Sequence, residues 1–124
     1  MKYMLLIYMA EDAMNESERE SCYKESTQLA HDLSAKGHYL AANPLHPATT
    51  ATSVQVRDGK PIIIDGPFAE TREQLGGYFL VEAKNLDEAI AIAKRIPAAG
   101  KGTVEIRPVL EVPGLPDAPL ANVL

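Results

Sequence analysis

Asp65-Gly66-Pro67-Phe68-Ala69-Glu70-Thr71-Arg72-Glu73-Gln74-Leu75-Gly76-Gly77-Tyr78 lies between two apolar runs, Ile62-Ile63-Ile64 before it and Tyr78-Phe79-Leu80-Val81 at its end. Short apolar runs bounded by turn residues read as strands, so the polar segment is a crossing from one strand to the next. It collects Asp, two Glu, Arg, Thr and Gln, and three of the chain's eight glycines. Polar side chains held between strands are where function is usually carried. Gly66 offers a backbone geometry closed to other residues, and Pro67 stiffens the exit. Gly76-Gly77 allows close backbone approach. No Lys and helix start follow those glycines, so they do not form a phosphate loop.

Upstream of this stretch, Ser53-Val54-Gln55-Val56-Arg57 and Ile62-Ile63-Ile64 flank Asp58-Gly59. Asp-Gly between such runs predicts a hairpin with a type I′ turn, which needs positive φ at both central residues. Pro61 falls at the start of the second strand, where proline is tolerated. Further upstream, Tyr3-Met4-Leu5-Leu6-Ile7-Tyr8 is almost continuously apolar and predicts a central strand. A helix is expected over about 16 to 36, opened by a Ser17–Glu20 capping box and closed by Gly37. Cys22, Ser26, Leu29, Ala30 and Leu33 share one face of it. His38-Tyr39-Leu40-Ala41-Ala42 reads as a short strand broken by Asn43-Pro44-Leu45-His46-Pro47, and Ala48 to Thr52 as an extended approach to the hairpin.

Downstream, Gly77 to Ala83 is a strand, and Asn85 with Glu88 opens a second helix whose inner face is Leu86, Ala89, Ile90, Ala93 and Ile96. Lys94 and Arg95 are expected in its last turn, beside the negative end of the helix dipole. Thr103-Val104-Glu105-Ile106-Arg107 alternates, so one of its faces is polar. The order is β-α-β, a hairpin, then β-α-β. That predicts an α+β ferredoxin-like sandwich with an inserted β-hairpin, its helices on one face of an antiparallel sheet. The uncovered face calls for a partner, and a homodimer supplies one. Residues 1–110 form the domain, and 111–124 is an apolar, proline-punctuated tail expected to pack on its own sheet or on a partner.

At 124 residues this is one domain, with apolar and charged contents of 46% and 23% that suit a folded soluble protein. A net charge of −5 with scattered Lys and Arg excludes the basic footprint of a nucleic-acid binder. Cys22 is the only cysteine, so neither an internal disulfide nor a cysteine zinc site is available. A lone cysteine on a helix face is a small hydrophobe unless an electropositive setting activates it. Three scattered histidines give no metal-ligand spacing, and no redox or nucleotide cofactor is indicated. Met1 to Tyr8 is too short for a signal peptide with its cleavage site or for a membrane span, so a cytoplasmic protein without a membrane partner is expected.

Asp65-Gly66-Pro67-Phe68, with the run on to Tyr78, resembles the signature of the DGPF branch of the YCII-related family. Met1 to Tyr8 is similar to that family's opening strand, and Thr50 to Gly59 to the strand and turn before the motif. Leu86-Asp87-Glu88-Ala89 and Val104-Glu105-Ile106-Arg107-Pro108 are similar to its second helix and last strand. The resemblance covers roughly residues 1 to 110. It implies a ferredoxin-like protomer pairing into a dimeric α/β-barrel-type assembly with a cleft near the motif. It implies likeness to lyases and isomerases of the muconolactone type, with one group acting as a dehydrochlorinase on a chlorinated aromatic. It also implies an association with extracytoplasmic-function sigma factors. The shorter YCII proteins pair an Asp with a His near the first helix; here that helix carries only His31, while Asp65 matches the Asp of the motif.

These residues set the candidate site. Asp65 is the candidate general base or acid, and His46, in a proline-flanked loop, is its helper, because imidazole moves protons near neutral pH. Asp before Gly-Pro is also a turn former that bonds its own backbone. Gly66, Pro67, Phe68, Glu70, Thr71, Gln74 and Tyr78 are the candidate ligand-binding set. Phe68 reads as a core plug before it reads as a wall for an aromatic ligand, and Glu70, Arg72 and Glu73 read equally as a solvated ion cluster. The expected activity is lyase- or isomerase-like chemistry on a small polar cyclic or aromatic molecule. The alternatives are a non-catalytic ligand-binding or regulatory module linked to sigma-factor or stress signalling, and a structural dimer without a ligand.

Overall fold

Alternation along the strands sets the layers. In the computed structural model, which describes residues 1–116, the first strand β1 (Lys2–Met9) buries Tyr3 and Leu5 and leaves Met4 and Leu6 only half-buried. Helix α1 (Glu16–Ala35), strand β2 (Tyr39–Pro44) and the hairpin strands β3 (Thr52–Arg57) and β4 (Lys60–Asp65) follow. Strand β5 (Gln74–Glu82), helix α2 (Leu86–Ala93) and strand β6 (Thr103–Pro108) complete the chain, with 3-10 turns at Ala48–Thr50 and Pro97–Gly100.

Four strands form one antiparallel sheet in the order β2-β5-β1-β6. This α+β arrangement is compatible with the ferredoxin-like expectation, and β1 is central as its apolar run predicts. Leu5 lies opposite Phe79 on one side and Ile106 on the other, so the inward residues of three strands meet in register. They form one core with Cys22, Leu29 and Leu33 of α1 and Ala89, Ile92 and Ala93 of α2. Both helices therefore cover the same sheet face. Met4, Leu6, Tyr8, Tyr78 and Leu80 point the other way and lie outside that core.

Several local expectations are corrected. Helix α1 is capped by Asn15, not Ser17: the Asn15 side chain accepts from Glu18 N at 2.8 Å and Glu18 accepts from Asn15 N at 3.1 Å. Asn caps as well as Ser, and starting two residues earlier puts Glu16 beside the positive helix end. Pro44 does not break β2. It pairs with Gly77, and Leu45 N still reaches Gly76 O at 2.9 Å, because β2 is an edge strand where a missing donor costs little. Ala48–Thr50 winds into a 3-10 turn rather than running extended. Helix α2 ends at Ala93, so Lys94 and Arg95 lie past its last turn; Leu86 is exposed and Ile92 takes the inner position instead.

The hairpin stands apart from the main sheet. Strands β3 and β4 pair only with each other, Val54 opposite Ile63 and Thr52 opposite Asp65. Asp58 and Gly59 have φ of 51° and 74°, as the type I′ turn requires. Every residue of β4 is exposed, and neither strand packs appreciably on another strand or helix. At the root of the hairpin Gly66 adopts φ of 112°, donates to Ala51 O at 2.7 Å and accepts from Ser53 Oγ at 2.9 Å. Beyond β6, Val109 N bonds Lys2 O, while Leu110, Val112 and Leu115 are exposed and so do not lie on their own sheet. Residues 117–124 of the expected tail lie outside the described residues.

A cleft between the long helix and the sheet edge

The C-terminal end of β1, the start of β5 and the end of β2 come together on the side covered by α1, because β5 runs antiparallel to both. Small residues line the space between the layers there, Ala30 on α1 and Ala42 on β2. A cavity of about 480 Å³ results, within the range of small-molecule sites. Its floor is Ile7, Met9, Ala42 and Phe79, and its roof Cys22, Ser26 and Ala30. Gly76 and Gly77 line it with backbone only. Gly77 is required by packing: a Cβ there would stand 3.0 Å from Asn43 O and 3.2 Å from Pro44 Cα.

Polar groups gather at the rim. Asn43 and Tyr78 are cross-strand partners whose side chains leave the sheet on the face away from α1, where Asn43 Nδ2 donates to the Tyr78 hydroxyl at 2.9 Å. Ala48 N donates to Glu11 Oε1 at 2.8 Å, and Arg19 Nη2 donates to Glu11 O at 3.2 Å. The segment 45–48 is therefore tied to β5 at Leu45 and to the β1–α1 loop at Ala48. His46 sits on that doubly held segment and lines the cavity. The Cys22 thiol also faces it; burial pushes its pKa up, the Ser26 hydrogen bond opposes this, and the Glu25 charge adds to it. The thiol stays protonated at neutral pH, and its setting is not the electropositive one a nucleophile needs.

Of the residues singled out from the sequence, His46, Gln74 and Tyr78 line the cavity, whereas Asp65, Gly66, Pro67, Phe68, Glu70 and Thr71 do not. Asp65 is exposed at the root of the hairpin, across from Thr52, and Gly66 beside it is bonded to Ala51. Phe68 is 75% exposed, so it is not a core plug. Gln74 Nε2 donates to the carbonyls of Thr71 and Ala69, which folds the crossing segment onto itself. Thr103 Oγ1 donates to the Glu73 carboxylate at 3.0 Å, anchoring the same segment to β6. Glu11 and Asn43 escaped the sequence reading. Both come into play only through pairing between distant segments, and neither carries a local signal. Among the described residues, no three His, Cys, Asp or Glu side chains stand close enough to hold a metal ion.

The fold and cleft define a small α+β protein with one long helix laid over the edge of an antiparallel sheet. Residues 1–113 match the model of the YCII-related domain. The chain is also similar to an uncharacterized protein of Rhizobium meliloti (strain 1021), at 36% identity over 88% of this chain and 92% of that one. The protein belongs to the YCII-related family. No helix among the described residues is long and apolar enough to cross a membrane.

Proposed function

We propose that the cleft under α1 takes a small cyclic or aromatic molecule with a polar edge, and that the protein is a homodimeric, lyase- or isomerase-like enzyme of the DGPF branch. The observation that carries this reading is the cavity of about 480 Å³, apolar on floor and roof, with His46 and Gln74 in its lining. Apolar walls would take up the ring of such a molecule, and the rim would orient its carbonyl or hydroxyl. His46 is the group placed to accept or return a proton there, since its segment is held at both ends. Asp65 is its proposed partner, carried at the root of the hairpin across from Thr52, six residues along the chain from His46. The half-buried apolar residues on the open sheet face support pairing of two sheets into a barrel-type dimer. A cytoplasmic setting is part of this proposal.

One observation favours a second reading. Asp65 lies outside the cavity lining, so the cleft can bind without the dyad, as a ligand-sensing module tied to sigma-factor signalling would require. A thermal-shift screen of phenols, aromatic acids and lactones separates the two, run on wild type, His46→Ala and Asp65→Asn. Under the enzyme reading the best-stabilising compounds are turned over, and both variants lose turnover while melting near wild type. Binding that survives in both variants with no turnover in wild type supports the sensing module. A screen without hits removes both.

A further inference from the structure

We infer that Arg19 is the anion-holding residue of the cleft, so that the small molecule taken there is a carboxylic acid bound as its carboxylate. The face of α1 turned to the cavity carries Arg19, Cys22, Ser26, Ala30 and Ser34, spaced three or four residues apart, and Arg19 opens that stripe. Arg19 is half-buried, and no other Lys or Arg among the described residues lines the cavity. Other basic side chains near α1 are already matched: Lys101 holds Glu18, and Arg95 and Lys36 hold Asp32. Arg19 makes no ion pair among the described residues. Its Nη2 donates instead to a backbone carbonyl, Glu11 O at 3.2 Å, which uses one N–H of the guanidinium fork. A cation held in place, partly out of water and without a counter-charge, is suited to a ligand carboxylate, which the fork can meet with two parallel bonds.

Glu11 is the acid of the lining, and its carboxylate is occupied, since Oε1 accepts from Ala48 N at 2.8 Å. Glu11 thus carries Arg19 on its carbonyl and the His46 segment on its side chain. An acid held by Arg19 therefore lies at the His46 end of the cavity. His31 stands twelve residues further along α1, roughly 18 Å away down the helix axis, too far to share one small ring compound with Arg19. The start of α1 is already capped by Asn15 and Glu18, which leaves no cluster of amides for a phosphate and favours a planar carboxylate on the single guanidinium. The chain's net charge of −5 works against anions in general, so a preference for an acid over its neutral analogue must come from a local group. The inference rests on the cleft reading proposed above and goes beyond it, by naming the ligand's charged group and the residue that holds it.

Benzoate and its neutral isostere benzamide test it, titrated into the full chain at fixed ionic strength and followed by the amide shifts of Ala42 and Gly77. Wild type should bind benzoate at least roughly 10-fold more tightly than benzamide. Arg19→Gln, checked for folding by circular dichroism, should remove that preference by weakening benzoate alone. Arg19→Lys keeps the charge without the fork and should retain only part of the preference; should Arg19→Gln not fold, an unchanged ratio in Arg19→Lys overturns the inference. Equal weakening of both compounds in a folded Arg19→Gln would make Arg19 a staple of the β1–α1 loop and overturn it as well. Equal binding of the two by wild type, or a preference that survives Arg19→Gln, overturns the inference and leaves the cleft standing as a ring site. If neither compound shifts the cleft amides at millimolar concentration, the cleft reading falls and the inference with it.

Discussion

Gly102→Ala is a one-methyl change whose cost can be worked from the packing. Gly102 ends the turn after Pro97–Gly100, donates to Ala98 O at 2.8 Å and delivers the chain into β6. A Cβ at this position would overlap the carbonyl oxygen of Tyr8 and approach Met9 Cα to 3.2 Å. Both are backbone atoms of the central strand β1, so no rotamer change relieves the contact. Either β6 or the end of β1 must shift. Overpacking costs about 1–3 kcal/mol when side chains can adjust, and the value here should reach about 3 kcal/mol because they cannot. That is a large share of the ~5–15 kcal/mol that holds a typical domain together. In a domain of this size it should lower the melting temperature by about 10 °C. Gly100→Ala is the internal control: nothing lies within 4 Å of its Cβ position and its φ is not left-handed. Its effect should fall between 0 and about 1 kcal/mol of stabilisation, through the unfolded chain. Urea melts followed by circular dichroism give both values. A Gly102→Ala midpoint equal to that of Gly100→Ala would refute the packing account of this turn.

Other outcomes follow from single contacts. Leu5→Ala, at a fully buried position of β1, should cost about 2–5 kcal/mol in the same melts. Asn15→Ala should cost about 0.5–2 kcal/mol by removing the helix cap, while Ser17→Ala should be nearly silent. Glu18 is held below its usual range by the Lys101 hydrogen bond first and the Asn15 amide second, and Asp32 by Arg95 first and Lys36 second. A carboxyl whose folded pKa is lowered contributes stability above its unfolded pKa, 4.5 for Glu18 and 3.8 for Asp32, and loses it as pH falls through the folded value. Glu18→Gln should therefore reduce the drop in urea midpoint between pH 5 and pH 3, an effect weakened by salt, and an unchanged drop would contradict it. Cys22 should react slowly with a thiol reagent, with a rate still rising past the ordinary thiol pKa of 9.0, and a ligand seated in the cleft should slow it further.

The fold was legible where local chemistry and tertiary pairing agree. The Asp58-Gly59 turn, the alternation of Val104 to Arg107 and the apolar run of β1 each predict the element that forms. Local rules slipped where two candidates compete. Asn15 and Ser17 are equally good caps, each with an acid three residues on, and only the docking of α1 decides between them. Pro44 looks like a strand breaker until β2 proves to be an edge, which pairing alone determines. The cleft was legible only at its rim. His46, Gln74 and Tyr78 carry polar chemistry near turn signals, but the walls come from Ala30 and Ala42, whose smallness matters only once α1 lies over β2. The motif from Asp65 to Thr71 drew attention by its polar density, and the structure puts it at the root and exit of the hairpin. Its glycine and self-bonded loop serve the crossing.

The central claim is that the cleft between α1 and the β2–β5 edge is where this protein meets its small molecule. Amide chemical-shift mapping with the compounds that raise the melting temperature tests it most directly. Shifts concentrated at Cys22, Ala42, Gly77 and Tyr78, and absent from Val54 and Ile63, are the predicted result. Shifts concentrated on the hairpin, or spread evenly without the cleft, would contradict it.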